Sequence, residues 1–255
     1  VTGASSGIGR AIALELALRG ANVIVHASSN RSGAEETAEL VRQRERQSTV
    51  LLCDIADAEG RLQFVDDCWQ VASECATSID IWVNNAGADV LTGDAANWSF
   101  DEKLKRLLQV DVQGTIALSR EVGKRMAATE REEGTLPSIV NIGWDQAAVG
   151  MSGDSGEMFS AAKGAIMAFT ASLARSLAPN VRVNCVAPGW IKTKWGDDAP
   201  EYWDKRAQKE ALLDRWGTSE DVARAVCFVV SPDAAFVTGQ TICVNGGYRG
   251  EINQP

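Results

Sequence analysis

Histidine is nearly absent from the 255-residue chain: His26 is the only one. No CxxC pair occurs among the six cysteines, which are scattered as Cys53, Cys68, Cys75, Cys185, Cys227 and Cys243. These two absences exclude an ordinary zinc site, which needs clustered thiolates and imidazoles, and no metal is expected. Long apolar runs are missing too, as is a basic leader followed by an apolar stretch. Neither a membrane span nor a secretory signal is therefore expected. Basic residues are in deficit: 25 Lys and Arg against 34 Asp and Glu leave a net charge of -9. An acidic surface repels nucleic acid and anionic membranes, so neither is an expected partner. Cys53, Cys185 and Cys243 fall in apolar, strand-like runs. All six thiols are expected to be reduced and mostly buried, in a reducing compartment such as the cytoplasm.

What is present is an alternation of strand and helix patterns. Hydrophobic residues make up 45% of the chain, and the length allows one large core. Helical spacing is expected over 12–18, 31–45, 60–76, 101–129, 157–177 and 219–230. Short β runs are expected over 22–27, 49–53, 79–83, 138–142, 181–186 and 241–245. Short apolar strands between amphipathic helices predict a Rossmann-type α/β fold: a doubly wound parallel sheet in a three-layer α/β/α arrangement. No linker or repeat divides the chain, so residues 1–255 are expected to form a single domain. Residues 190–213 are less regular and read as an insertion. Val1-Thr2-Gly3 reads as the end of a strand whose earlier residues are expected to precede it in the natural protein.

The turn after that strand end is rich in glycine: Thr2-Gly3-Ala4-Ser5-Ser6-Gly7-Ile8-Gly9. Glycines allow a tight turn and close backbone approach, and the first amides of the following helix then face a pyrophosphate. The spacing is GxxxGxG. A plain turn is the other reading, and the end of the second strand argues against it. An NAD-specific site needs an acidic residue there to accept the ribose hydroxyls. Here the run is Val25-His26-Ala27-Ser28-Ser29-Asn30-Arg31, with no acid. Ser28, Ser29 and Arg31 would instead meet a 2′-phosphate, which favours NADP while leaving NAD possible. The other reading of Arg31 is the start of a solvated helix. His26 has no obvious partner and reads as structural.

Further motifs follow: Cys53-Asp54-Ile55, Asn84-Asn85-Ala86-Gly87, Pro188-Gly189-Trp190-Ile191-Lys192-Thr193, Arg215-Trp216-Gly217, Glu220-Asp221-Val222-Ala223 and Asn245-Gly246-Gly247. With these, the chain resembles the short-chain dehydrogenase/reductase family over essentially its whole length. The nearest likeness is to the branch of 3-oxoacyl-(acyl-carrier-protein) reductase and glucose dehydrogenase. The resemblance implies that Asp54 and Ile55 lie at the adenine. It places Asn85, Ala86 and Gly87 beside the cofactor ribose, and Pro188, Gly189, Ile191 and Thr193 around the nicotinamide. It also implies a homotetramer or homodimer, a small-molecule substrate and a substrate lid within 190–213.

The resemblance further implies hydride exchange between a nicotinamide and a carbonyl or alcohol carbon. The family uses a Tyr, a Lys four residues later, a Ser and an Asn. Only the Lys is present here. The Tyr-x-x-x-Lys motif reads Phe159-Ser160-Ala161-Ala162-Lys163, and a phenyl ring cannot transfer a proton. The Ser position falls on Trp144, or on Asp145 if the register slips by one. The Asn position is Asp111. Lys163 is expected at the nicotinamide ribose hydroxyls, with Asp111 as its partner.

Asp145 is the first candidate for a substitute acid, since a carboxyl beside Trp144 would have a raised pKa. Asp154, Glu157 and Tyr202 are weaker candidates. Eight tryptophans are unusual, and Trp144, Trp190, Trp195 and Trp203 border the implied cleft. They read either as an aromatic pocket for an apolar or planar ligand or as core filling beneath the lid. Two functions are carried forward. One is an NADP-dependent oxidoreductase working through a degraded catalytic set. The other is a non-catalytic NADP(H)-binding sensor or structural protein.

Overall fold

A computed structural model describes residues 1–131, 136–193 and 201–249. Its helices are α1 (Gly7–Leu18), α2 (Arg31–Arg42), α3 (Ala58–Glu74), α4 (Phe100–Leu107), α5 (Thr115–Ala128), α6 (Asp154–Leu177), α7 (Glu201–Glu210) and α8 (Ser219–Val230). The strands are β1 (Val23–Ala27), β2 (Ser48–Leu52), β3 (Ile81–Asn84), β4 (Ser138–Ile142), β5 (Arg182–Pro188), β6 (Ile191–Lys192), β7 (Gly217–Thr218) and β8 (Thr241–Val244).

Two parallel sets form the central sheet, β1-β2 and β3-β4-β5-β8. The segment around Val1–Ala4 joins them. The amide of His26 donates to Val1 O at 3.1 Å, Ala4 N to His26 O at 2.8 Å, and Thr2 N to Val83 O at 2.9 Å. The strand order is therefore β2-β1-(Val1–Ala4)-β3-β4-β5-β8, the doubly wound Rossmann arrangement. The chain first winds outward through β1 and β2, then crosses to β3 on the other side. That reversal opens a crevice at the carboxyl ends of the strands, where such sheets bind ligands.

Alternating side chains fill both layers. Val25, Val140 and Val186 face α1 and α8, meeting Ile12, Leu16, Val222 and Val226. Trp82, Ile139 and Val183 face the opposite layer and meet Phe64, Val122, Met126 and Leu173. Asn84 and Asn141 carry polar groups into this core, and each is paired. Asn84 Nδ2 donates to Ser119 Oγ at 2.8 Å and to Asn141 Oδ1 at 2.9 Å, and Asn141 Nδ2 donates to Thr170 Oγ1 at 2.9 Å.

Two expectations change. The helical stretch 101–129 is not continuous: α4 and α5 are separated by a π-helical segment, Leu108–Gly114, centred on Asp111. The described parts of 190–213 are also more regular than expected. Ile191–Lys192 pairs in parallel with Gly217–Thr218, and α7 is a regular helix. Among the described residues, no helix is long and apolar enough to cross a membrane.

Candidate cofactor groove and active site

The crevice is a groove of about 1060 Å³ lined by the glycine-rich loop, Ser28–Asn30, Asp54, Ile55, residues 85–89 and Thr193. The loop fits a ligand that needs close backbone approach. Gly3 has φ +63°, and a Cβ there would lie 2.8 Å from Ala86 Cα. A Cβ on Gly9 would lie 2.2 Å from Gly3 O. Ser6 precedes α1 without a side-chain cap, and no acidic residue occupies the first turn. The amides of that turn are left for an anion.

Asn85 and Thr2 hold the loop in place. Asn85 Nδ2 donates to both Thr2 O and Gly3 O at 3.0 Å. The Thr2 hydroxyl accepts from the amides of Asn85 and Ala86, each at 3.0 Å. Ser28 and Ser29 are exposed along the groove. Asn30 instead caps α2, accepting from Gly33 N at 3.0 Å. Arg31 does not line the groove. It lies along its own helix, 3.7 Å from Glu35. Asp54 does line it, and there it meets Arg106 at 3.1 Å. Arg106 is absent from the sequence reading because nothing local on α4 marks it.

Behind the Gly87–Ala88 wall of the groove, and not among the residues that line it, Lys163 Nζ lies 2.9 Å from Asp111 Oδ2 and 3.4 Å from Ile142 O. Asp111 Oδ1 accepts from Ala88 N at 2.8 Å. The π turn carries this buried carboxylate, linking it to both the Gly87–Ala88 backbone and α6. π turns of this kind often mark functional positions. A buried ion pair gains only if its remaining hydrogen-bonding capacity is met, and the Ala88 amide and Ile142 carbonyl meet much of it.

One helical turn before Lys163, Phe159 meets Trp144 edge to face, with ring centroids 6.4 Å apart and planes at 69°. Phe159 also packs against the apolar cluster of Val90 and Met158. The backbone at Trp144 is extended (φ -154°, ψ 131°), so Asp145 turns the opposite way. Asp145 is buried, and its Oδ2 accepts from Asn245 Nδ2 at 2.9 Å. Burial raises its carboxyl above the ordinary range, while the Asn245 bond opposes that rise. Asp145 Oδ1, both polar atoms of Gln146 and the Ser160 hydroxyl are buried without a hydrogen-bond partner.

Pro188 ends β5, and Gly189 N donates to Val244 O at 3.0 Å. A Cβ on Gly189 would lie 2.6 Å from Asn245 Cβ, so glycine is required by packing. Ile191 is buried, and Thr193 approaches the glycine-rich loop at Gly7. Two tryptophans around this stretch serve as anchors. Trp190 Nε1 donates to Glu210 at 2.7 Å, and Trp216 Nε1 to Asp204 at 2.8 Å. The Arg206 guanidinium lies 5.8 Å from the Trp190 ring and 5.4 Å from the Trp203 ring, and its Nε reaches Glu210 at 2.6 Å. These rings hold α7 to the end of β5, which is the core-filling reading. Tyr202 is exposed and packs on Trp203. Trp195 lies outside the described residues.

A second cavity, of about 320 Å³, lies at the opposite edge of the sheet between β1 and β3, lined by Ile24, Phe64, Cys68, Ile81 and Trp82. It shares none of Gly3, Asp54 or Thr193 and is remote from the carboxyl ends of the strands, where the polar groups converge.

Comparison with known proteins places these features in context. A family model described as enoyl-(acyl carrier protein) reductase matches residues 3–249. The 3-oxoacyl-(acyl-carrier-protein) reductase of Vibrio harveyi is 35% identical over 252 residues, covering 97% of this chain and 95% of the relative. Tropinone reductase-like 3 of Erythroxylum coca is 31% identical over 251 residues, covering 97% and 91%. Among solved structures, a short-chain dehydrogenase from Burkholderia cenocepacia in complex with NADP superposes with TM-score 0.82 at 30% identity, covering 97% of this chain and 95% of that one. A short-chain dehydrogenase/reductase from Brucella melitensis gives TM-score 0.80 at 32% identity, covering 96% and 94%.

Proposed function

Since the chain belongs to the short-chain dehydrogenase/reductase family of oxidoreductases, we propose that it binds NADP(H) in one continuous domain but lacks the family's usual carbonyl chemistry. The observation that carries this reading is Phe159 packed edge-on against Trp144, one turn from an intact Lys163–Asp111 pair. On this reading ancestry and cofactor geometry are kept, while a phenyl and an indole ring stand where the two hydroxyls would meet the reacting oxygen.

The residues present fit the cofactor. The loop from Thr2 through Gly3, Ser5, Ser6, Gly7 and Ile8 to Gly9 offers amides to the pyrophosphate. Ser28 and Ser29 offer hydroxyls to a 2′-phosphate. No acid lies between Ser28 and Arg31 to favour NAD instead. Asp54 and Ile55 border the adenine, and Asn85, Ala86 and Gly87 border a ribose. Lys163 would hold the nicotinamide ribose hydroxyls, with Pro188, Gly189, Ile191 and Thr193 around the ring. Bound NADPH supplies a hydride to an electrophilic carbon.

A carbonyl oxygen that gains charge in such a reaction needs a donor, and general acids contribute roughly 10²- to 10⁴-fold in rate. Phe159 and Trp144 offer no oxygen acid. Asp145 Oδ2 accepts from Asn245 while its Oδ1 has no partner, so Asp145 stays the first candidate donor for the second reading. The wall formed by Trp144 and Phe159 suits an apolar or aromatic small molecule. The resemblance also supports a homotetramer or homodimer.

The test is direct. NADPH should enhance and shift its fluorescence on mixing with the protein, and ketones, aldehydes and quinones should not be consumed. Turnover of a simple ketone at about 1–10³ s⁻¹, the ordinary enzymatic range, would favour the second reading, a working oxidoreductase with another proton donor.

A further inference from the structure

We propose that His26 is a positioning residue for the cofactor groove: its imidazole, held as a single neutral tautomer, ties the pyrophosphate loop at Gly3 to the adenine edge at Cys53. The proposal rests on the cofactor reading above.

His26 lies on β1, 1% exposed, and its ring borders the groove. Gly3 N lies 3.2 Å from Nδ1. An amide can only donate, so Nδ1 carries a lone pair. Nε2 lies 2.9 Å from the Cys53 carbonyl oxygen. A carbonyl can only accept, so Nε2 carries the hydrogen. The two demands specify the same tautomer. Phe64 packs at 4.6 Å from the ring and fixes its plane.

Each end of this link leads to the groove. Gly3 is held a second time through its carbonyl, by Asn85. Cys53 immediately precedes Asp54, which lines the groove. One ring thus sets the spacing between two walls that a single dinucleotide must touch at once. Fixing that spacing in advance removes an ordering cost from binding. A space-filling role alone would not need both nitrogens. An apolar ring would leave the Gly3 amide and the Cys53 carbonyl unpaired in the interior.

Three substitutions separate the two bonds. His26→Asn places an oxygen where Nδ1 is and keeps the Gly3 bond. His26→Gln places an N–H where Nε2 is and keeps the Cys53 bond. His26→Phe keeps the ring and neither bond. The probes are NADPH, followed by fluorescence, and adenosine 2′-monophosphate, followed by calorimetry. NADPH affinity should fall by about tenfold in all three variants, since each breaks the link at one end or both. Adenosine 2′-monophosphate, which meets only the Cys53 side, should separate them, with His26→Gln binding better than His26→Asn.

The unmodified protein gives a second readout that needs no ligand. With one histidine, its ¹⁵N imidazole resonances are unambiguous and should report the Nε2–H tautomer. An Nδ1–H tautomer, equal NADPH affinity in all four proteins, or losses that simply follow each variant's unfolding temperature would overturn the link while leaving cofactor binding intact. An unmodified protein that binds neither NADPH nor NADH would overturn the cofactor reading and this proposal together.

Discussion

The loop wall of the groove and the neighbouring Lys163–Asp111 region differ in kind. At the loop end, backbone and side chains are closely matched: Asn85, Thr2 and His26 each bond the chain near Gly3. At the reacting end, Lys163 and Asp111 are equally well placed, yet the neighbouring wall is Phe159 against Trp144. On the proposed reading, binding a dinucleotide and polarising a carbonyl would be separable properties of one scaffold. The first depends on loop geometry and a strand crossing. The second depends on two hydroxyls that can be lost without disturbing the helix that carries one of them.

The sharpest way to break this contrast is to restore the reacting end. The Phe159→Tyr, Trp144→Ser pair should raise NADPH-dependent ketone reduction by about 10²- to 10⁴-fold over the unmodified protein, the usual worth of a general acid. Phe159→Tyr alone should recover little, because the indole still occupies the oxygen's place. Stopped-assay product analysis would check both. A double variant no better than the parent would mean that Lys163 and Asp111 are not disposed for the family reaction.

The next effect concerns the shared element at that end. Asp111→Ala leaves Lys163 mostly buried without its carboxylate, and Ala88 N without an acceptor. Removing one partner of a buried pair costs about 3–5 kcal/mol, and the low end is expected because Lys163 keeps some contact with solvent. Asp111→Asn retains an acceptor for Ala88 and should lose less. Urea unfolding of the three proteins ranks them. An Asp111→Asn variant as unstable as Asp111→Ala would show that the ion pair, not the Ala88 bond, carries the stability.

Acid should act on the loop end through His26. Burial lowers the imidazole from 6.5 to about 4. The Cys53 bond and the Asp54 carboxylate oppose it. The unfolded chain takes up a proton as pH falls below 6.5, while the native ring resists until about 4. Stability is thus complete above that window and declines across it as pH drops, by roughly 3 kcal/mol in all. Carboxylates contribute their own acid dependence, so the measurement is the difference in unfolding free energy between the unmodified protein and His26→Asn. That difference should narrow between pH 7 and pH 4. A constant gap would mean that the native imidazole is already free to protonate.

Much of this was legible in the chain itself. The β4 and α8 boundaries matched because Pro137 and Gly143 bracket the short β4 run and Thr218 and Ser231 bracket the α8 run. The glycine-rich turn and the Phe159–Lys163 spacing were local patterns. What was not legible depended on distant contacts. The π turn at Asp111 arises because its carboxylate reaches Ala88 and Lys163, residues far away in sequence. His26 gained partners only when β1 came to lie beside Gly3 and β2. The raised carboxyl of Asp145 was legible beside Trp144, but its bond to Asn245, a hundred residues later, was not.

The smallest expected effect tests the loop end where sequence and structure part company. Arg31 follows two serines at the end of β1 and, read locally, is the natural guanidinium for a 2′-phosphate. In the fold it is the first residue of α2, its side chain is largely exposed, and its carboxylate neighbour Glu35 lies one turn along the same helix. An exposed pair of this kind contributes at most about 1 kcal/mol and leaves the cation in solvent, outside the groove. Arg31→Ala should therefore change NADPH affinity by less than about threefold, and the preference for NADPH over NADH should persist through Ser28 and Ser29. A tenfold loss confined to NADPH would mean that the guanidinium leaves Glu35 when the phosphate arrives. The selectivity would then come from a movement of Arg31, and the loop end would be less preformed than its hydrogen bonds imply.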